Sequence, residues 1–245
     1  MTTTATPAPL RQVTRRPRRA SWTVVTLTSV AIATYAVSPY LVQSLEALAA
    51  DDAGLASGYA GRSAAILAAF YVHVVAGGIA LLVGPFQFWA GLRRRRPVVH
   101  RALGRVYLGA VGIAGLGALA LAPFNTAGIV GFFGFGTLAV LWLLTAWRGY
   151  RAIRSGDVRA HQAWMIRNFA LTYAAVMLRA WTGVLIAAQV PFVSGAFDAE
   201  AAFANAYAAV PFLCWLPNLV VAEWLVRRRG LPTLRITEPA RATQG

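Results

Sequence analysis

The chain has 245 residues, of which 58% are hydrophobic and only 13% are charged. Charged residues make up about 25% of an average soluble domain, which needs them to cover its core. The composition therefore excludes an ordinary soluble domain and indicates an integral membrane protein.

The formal net charge of +15 rests on 23 basic residues, all of them arginine. These arginines stand in short clusters between apolar blocks, a pattern that sets the orientation of membrane proteins. We therefore expect the lipid bilayer, and not nucleic acid, to be the partner of this charge.

Six apolar blocks are long enough to cross a bilayer core, which takes about 20 helical residues. They predict an all-α fold, a polytopic membrane helix bundle of about six transmembrane helices. This domain is expected to cover residues 21–228, between a disordered arginine-rich tail over 1–20 and a second tail over 229–245. The predicted spans are 22–42, 63–92, 105–122, 128–147, 164–188 and 203–226.

The arginine clusters alternate with the spans in a way that predicts the topology. Clusters at 15–19, 93–96, 148–159 and 227–229 fall on one side of the bundle, whereas the other side carries Arg62 and most of the acidic residues. Because cytoplasmic loops are enriched in arginine and lysine, both termini are predicted to be cytoplasmic.

Polar residues inside the spans are candidates for function, since they are costly in a membrane and usually face the bundle interior. In the second span His73 and Gln87 share a face with Gly77, Ala80, Gly84 and Gly91, and Pro85 is expected to kink the helix. Helix packing is the alternative explanation for that face. We call the whole polar set the polar seam: His73, Gln87, Asn168, Thr172, Arg179, Asn218 and Glu223.

Three arginines bear on this seam. Arg179 lies too deep in the fifth span to reach the cytoplasmic surface, so it needs a carbonyl or carboxylate partner or must extend outward. Arg167 is expected to snorkel to the cytoplasmic rim. Glu223 is expected to pair with Arg167 or Arg105, and the alternative is a carboxylate that handles protons.

Four sequence motifs resemble the bacterial membrane-protein family catalogued as domain of unknown function 2306. The resemblance implies a bacterial cytoplasmic (inner) membrane and carries no activity to this chain. The motifs are His73-Val-Val-Ala-Gly-Gly with Gly84-Pro-Phe-Gln-Phe, Arg96-Pro-Val-Val-His100-Arg-Ala-Leu-Gly-Arg-Val-Tyr107, His161-Gln-Ala-Trp-Met-Ile-Arg-Asn-Phe-Ala-Leu-Thr172 with Val176-Met-Leu-Arg179, and Trp215-Leu-Pro-Asn-Leu-Val-Val-Ala-Glu223.

The first functional hypothesis is a single-haem b electron-transfer protein. His100 and His161 are predicted at one depth on the cytoplasmic rim, and two histidines on different helices can ligate a haem iron from both faces. Arg101 and Arg105 are the candidate contacts to the propionates. The bundle is similar to the cytochrome b561 architecture, which uses four histidines for two haems, but this chain has only 3.

Two other hypotheses stay open. The polar seam is also compatible with a carrier or channel-like protein for protons or a small solute, a function that a homodimer would favour. The third hypothesis is a non-catalytic sensor or subunit of a membrane complex. Hydrolytic enzymes are disfavoured, because the sequence has no nucleophile with a partnered base and no metal motif apart from the candidate haem ligands.

Overall fold

The computed structural model describes residues 18–50, 58–192 and 196–233. Within these ranges the chain is helical and has no β-strand. The ten α-helices of the described ranges are α1 (Arg18–Val42), α2 (Leu45–Ala50), α3 (Ala64–Gln87), α4 (Ala90–Arg95), α5 (Pro97–Leu121), α6 (Gly128–Arg154), α7 (Val158–Thr172), α8 (Ala174–Gln189), α9 (Ala199–Leu213) and α10 (Leu216–Arg228).

Six helical stretches are long and apolar enough to cross a membrane, which confirms the predicted all-α bundle. The predicted tails lie largely outside the described residues, and α1 already begins at Arg18. The stretches are Ala20–Val42, Ala64–Gln87, Pro97–Phe124, Gly128–Arg154, Val158–Phe192 and Ala199–Arg228.

The second predicted span, 63–92, is two helices rather than one. Pro85 has no N–H to donate to the preceding turn, and the chain tightens after it: the N–H of Phe88 donates to the carbonyl of Pro85 at 3.1 Å. Trp89 is then extended, with ψ of 106°. The arginine run is consequently carried by the separate short helix α4.

The last two spans are also each built from two helices. In the sixth, Pro217 lies in the first turn of α10, where a missing N–H costs nothing, and the break falls at Cys214 and Trp215. In the fifth, the break is the single residue Tyr173, whose N–H donates to the carbonyl of Phe169 at 2.8 Å.

Two helices begin earlier than predicted, and this changes the position of the rim histidines. α5 begins at Pro97 and α7 at Val158, capped by the Asp157 side chain, which accepts from the N–H of Ala160 at 2.8 Å. His100 and His161 therefore do not precede the spans: each is the fourth residue of its helix.

Glycines allow α3 to approach its neighbours closely, as the small-residue face of the second span predicts. A Cβ atom on Gly84 would lie 2.4 Å from the Phe169 ring and 3.2 Å from the Tyr107 ring. From the other side, a Cβ on Gly117 of α5 would lie 3.1 Å from the Cβ of His73. The contact between α3 and α5 is thus set by backbone approach.

We expect Gly84→Ala to lower the free energy of unfolding by about 1–3 kcal/mol, because the added methyl group forces the Phe169 ring aside. The matched control is Gly112→Ala on α5, where a Cβ meets nothing within 4 Å. Reversible unfolding in mixed micelles measures both variants. Equal stability of the two variants would contradict the close approach at Gly84.

Candidate functional site

Asn168 of α7 is fully buried, with 0% of its surface exposed, and it joins three helices. Its Nδ2 donates to the backbone carbonyl of Trp142 at 2.8 Å and to Oγ1 of Thr145 at 2.9 Å, both on α6. Its Oδ1 accepts from the Tyr107 hydroxyl of α5 at 2.7 Å. The carbonyl accepts only, so it fixes which end of the Asn168 amide faces α6.

Thr172, one turn after Asn168 on the same face, completes this network. Its Oγ1 accepts from Nε1 of Trp142 at 2.9 Å and lies 2.7 Å from the Tyr107 hydroxyl. The Tyr107 hydroxyl donates to Asn168, and the single hydroxyl proton of Thr172 has two acceptors within reach, the Tyr107 hydroxyl and the backbone carbonyl of Asn168 at 3.1 Å. We call these five residues the polar hub: Tyr107, Trp142, Thr145, Asn168 and Thr172.

Sequence reasoning found only Asn168 and Thr172 of the polar hub. Tyr107, Trp142 and Thr145 were not singled out, although a tyrosine or tryptophan inside a span carries a polar group that needs a partner when buried. That requirement is the signal available in the sequence. Because all its donors have acceptors, we interpret the polar hub as a structural network that holds α5, α6 and α7 together.

Arg167 and Glu223 form an ion pair between α7 and α10. The Nε and Nη2 atoms of Arg167 lie 2.5 Å and 2.9 Å from the two carboxylate oxygens. Arg167 is only 3% exposed, so the expectation that it snorkels to the surface is wrong. The guanidinium carbon of Arg167 also lies 4.9 Å from the centre of the Trp164 ring. The bidentate pairing with Glu223 offsets the cost of burying the charge.

The other seam residues make separate local contacts. His73 of α3 places Nδ1 2.9 Å from the carbonyl of Ala114 on α5. Asn218 donates to the carbonyls of Cys214 and Ala170, at 3.0 Å and 3.1 Å, and so satisfies the backbone at the break before α10. Arg179 donates to the carbonyl of Ala175 in its own helix at 2.9 Å.

Within the described residues, the polar seam is therefore not one continuous hydrogen-bonded network of side chains. Asn168 and Thr172 belong to the polar hub, Glu223 to an ion pair, and Arg179 and His73 each to a contact of their own. The carrier function stays a prediction.

His161 lies at the arginine-rich rim, held by the end of α6. Its Nδ1 is 2.8 Å from the carbonyl of Gly149. Because that carbonyl can only accept, Nδ1 carries the proton and Nε2 keeps a free lone pair, as in a metal-ligating histidine.

His100 lies at the same rim and is close enough to His161, Arg93 and Arg101 for their charges to act on it. The Nδ1 atom of His100 is buried and has no hydrogen-bond partner among the described residues. A buried polar atom without a partner costs about 1–3 kcal/mol, so the Nδ1 atom of His100 is a candidate ligand-binding atom.

Gln87 adds a second buried polar atom without a partner to this region. Its Nε2 makes no hydrogen bond in the described chain. A Cβ on Gly104, one turn after His100 on the same face of α5, would lie 3.3 Å from Oε1 of Gln87. Arg93 donates to the backbone carbonyl of Gln87 at 3.2 Å. We call Gln87, Arg93, His100 and His161 the rim cluster.

Arg101 and Arg105, the candidate propionate contacts, are exposed on α5 beside the rim cluster, and neither has a carboxylate partner within the described ranges. Two open grooves of about 350 and 630 Å³ lie elsewhere, between α1 and α3 and at the end of α6. Neither groove is lined by a residue of the rim cluster.

The chain was compared with known protein families, curated proteins and solved structures. The model of the family described as "Predicted membrane protein (DUF2306)" matches residues 70–226, a range that contains the polar hub, the rim cluster and the polar seam. No curated protein and no solved structure matched the chain.

We expect Tyr107→Phe to destabilise the bundle by about 1–3 kcal/mol, because the Oδ1 atom of Asn168 loses its donor inside an apolar core. Tyr150→Phe on the exposed end of α6 is the matched control and should change the stability little. Thermal unfolding in neutral detergent compares the two. A Tyr107→Phe protein as stable as the control would show that the polar hub does not stabilise the bundle.

Proposed function

The chain belongs to the DUF2306 family of predicted membrane proteins, and we propose that it is a single-haem b electron-transfer protein. In this proposal His100 and His161 of the rim cluster would hold the haem iron. A haem b held there would supply one reversible one-electron couple, between the ferric and ferrous states.

The observation that carries the proposal is the different hydrogen bonding of the Nδ1 atoms of the two rim histidines, His100 and His161. His161 is oriented by the carbonyl of Gly149, which leaves its Nε2 free. His100 is half-buried, and its Nδ1 atom is buried without a hydrogen-bond partner among the described residues. Since each is the fourth residue of its helix, α5 and α7 present them from one rim of the bundle.

Gln87 of the rim cluster and the two arginines beside the cluster fit the carboxylate edge of a haem. Propionates are carboxylates, which arginine binds through charge-assisted hydrogen bonds. Arg101 and Arg105 are exposed on α5 within one or two turns of His100 and are available to bind them. The unpartnered Nε2 of Gln87 offers a further donor to a carboxylate oxygen.

We also infer that the arginine-rich rim faces the cytoplasm of a bacterial inner membrane, with both termini inside. A fluorescent protein fused after Gly245 should then fluoresce, and alkaline phosphatase fused after Asn125 should be active outside. The reverse pattern at both positions would overturn the topology.

The test of the haem is the absorption spectrum of detergent-purified protein from cells supplied with a haem precursor. We expect a Soret band and, after reduction, sharp α and β bands. His100→Ala and His161→Ala should each lose these bands or convert them to those of a five-coordinate haem. His73→Ala is the matched control, because His73 is anchored to Ala114 away from the rim, and it should keep the spectrum.

A colourless wild-type protein that elutes as a folded species would contradict the proposal. Bands that survive both rim substitutions but disappear with His73→Ala would assign the ligand to another site.

A further inference from the structure

Arg179 lies deep in the fifth span and has no carboxylate partner among the described residues. The ion pair found within the described ranges is that of Arg167 with Glu223. Among the described residues Arg179 has one hydrogen bond, from Nη1 to the carbonyl of Ala175 at 2.9 Å, which occupies one of its five N–H donors. A charged side chain at the centre of a membrane costs at least about 2.5–3.5 kcal/mol.

The Arg179 side chain does not extend toward the nearer end of its span. Ala175 precedes Arg179 by one turn, so the bond to its carbonyl turns the guanidinium back toward the interior of the span. Tyr35 of α1 faces it, with its ring centre 6.0 Å from the guanidinium carbon. Since Tyr35 lies 7 residues before the end of α1 at Val42, the charge is about 10 Å below that end.

Tyrosines of α1 and α9 lie near the guanidinium. α1 and α8 run side by side, because Thr28 meets Tyr173 at 2.7 Å and Tyr35 meets Arg179 two turns further along both helices. Tyr40 of α1 and Tyr207 of α9 are also close enough to act electrostatically on Arg179. Tyr35 is 70% exposed, so the group opens sideways toward lipid.

We propose that Arg179, together with Tyr35, Tyr40 and Tyr207, forms a membrane-embedded site for an oxyanion, the carboxylate or phosphate of a ligand. The planar guanidinium presents paired donors that match a carboxylate or phosphate in a bidentate geometry. The tyrosines contribute hydroxyl donors together with apolar ring surface. The ligand comes either from the bilayer, as the head of an amphiphile, or from water, as a small anion.

The site is independent of the rim cluster. Arg179 belongs to the opposite half of its span, on α8, whereas both rim histidines are in the first turns of α5 and α7. Loss of haem binding would leave this inference intact, and the reverse also holds.

The experiment measures the ligand-induced rise in unfolding temperature of the full chain in neutral detergent. The probes are oleate and phosphatidate as amphiphiles, and acetate and inorganic phosphate as soluble anions. We expect saturable stabilisation of the wild-type protein and at least tenfold weaker affinity in Arg179→Gln. Arg154→Gln, an exposed arginine in the last turn of α6, is the matched control and should bind like the wild type.

Arg179→Lys keeps the charge and loses the paired donors, so we expect intermediate affinity. This variant decides the question if Arg179→Gln does not fold. Binding of oleate and phosphatidate alone assigns the ligand to the bilayer, whereas equal binding of acetate or phosphate assigns it to water.

Three results would overturn the inference. The first is a wild-type protein that none of the probes stabilises. The second is unchanged affinity in both Arg179 variants. The third is binding that appears only in the Asp51→Asn/Asp52→Asn double variant, because a carboxylate of the chain itself would then be the partner of Arg179. Those two aspartates lie outside the described residues.

Discussion

The buried amide of Asn168 is the constraint on which the arrangement of the bundle depends. It faces α6 with its donors and α5 with its acceptor, so α7 has one rotation about its axis in which all three bonds form. Apolar packing alone does not fix such a rotation, since in a bilayer lipid tails replace neighbouring side chains at little cost. The polar hub therefore sets which residues of α7 face inward, and with them the inward face of Arg167 and the position of His161.

The two deep arginines of the fifth span illustrate how the chain treats charge. Arg167 is buried against a carboxylate and an aromatic ring, and both of its carboxylate contacts lie within the described bundle. Arg179 is twelve residues further along, and its hydrogen-bond acceptor among the described residues is a carbonyl of its own helix. Arg167 is thus paired with a carboxylate, whereas Arg179 has N–H donors without an acceptor among the described residues. Unused donors of a desolvated guanidinium indicate binding rather than packing.

Much of the fold was predictable from hydrophobicity, because six apolar blocks separated by arginine clusters leave few alternatives. The face shared by Asn168 and Thr172 followed from helical periodicity, and Glu223 had Arg167 as one of its two predicted partners. Pro85 was expected to kink the second span, but the complete helix breaks at Trp89 and Cys214 were not predicted, because they depend on how the backbone continues after Pro85 and before Pro217. Helical periodicity predicts which face of a helix a side chain lies on, but it does not predict which residue of another helix that side chain contacts. The burial of Arg167 and the roles of Tyr107 and Trp142 appear only when the helices are packed.

The rim cluster joins these observations to the proposed function. Two histidines at equal positions in α5 and α7, one oriented by a carbonyl and one without a partner, lie beside exposed arginines at one end of a bundle held by the polar hub. The most direct test is the molar ratio of haem to protein, measured by the pyridine haemochrome method on purified chain of known concentration. The account predicts one haem b per chain. A ratio of zero in folded protein, or a ratio of two, would contradict it.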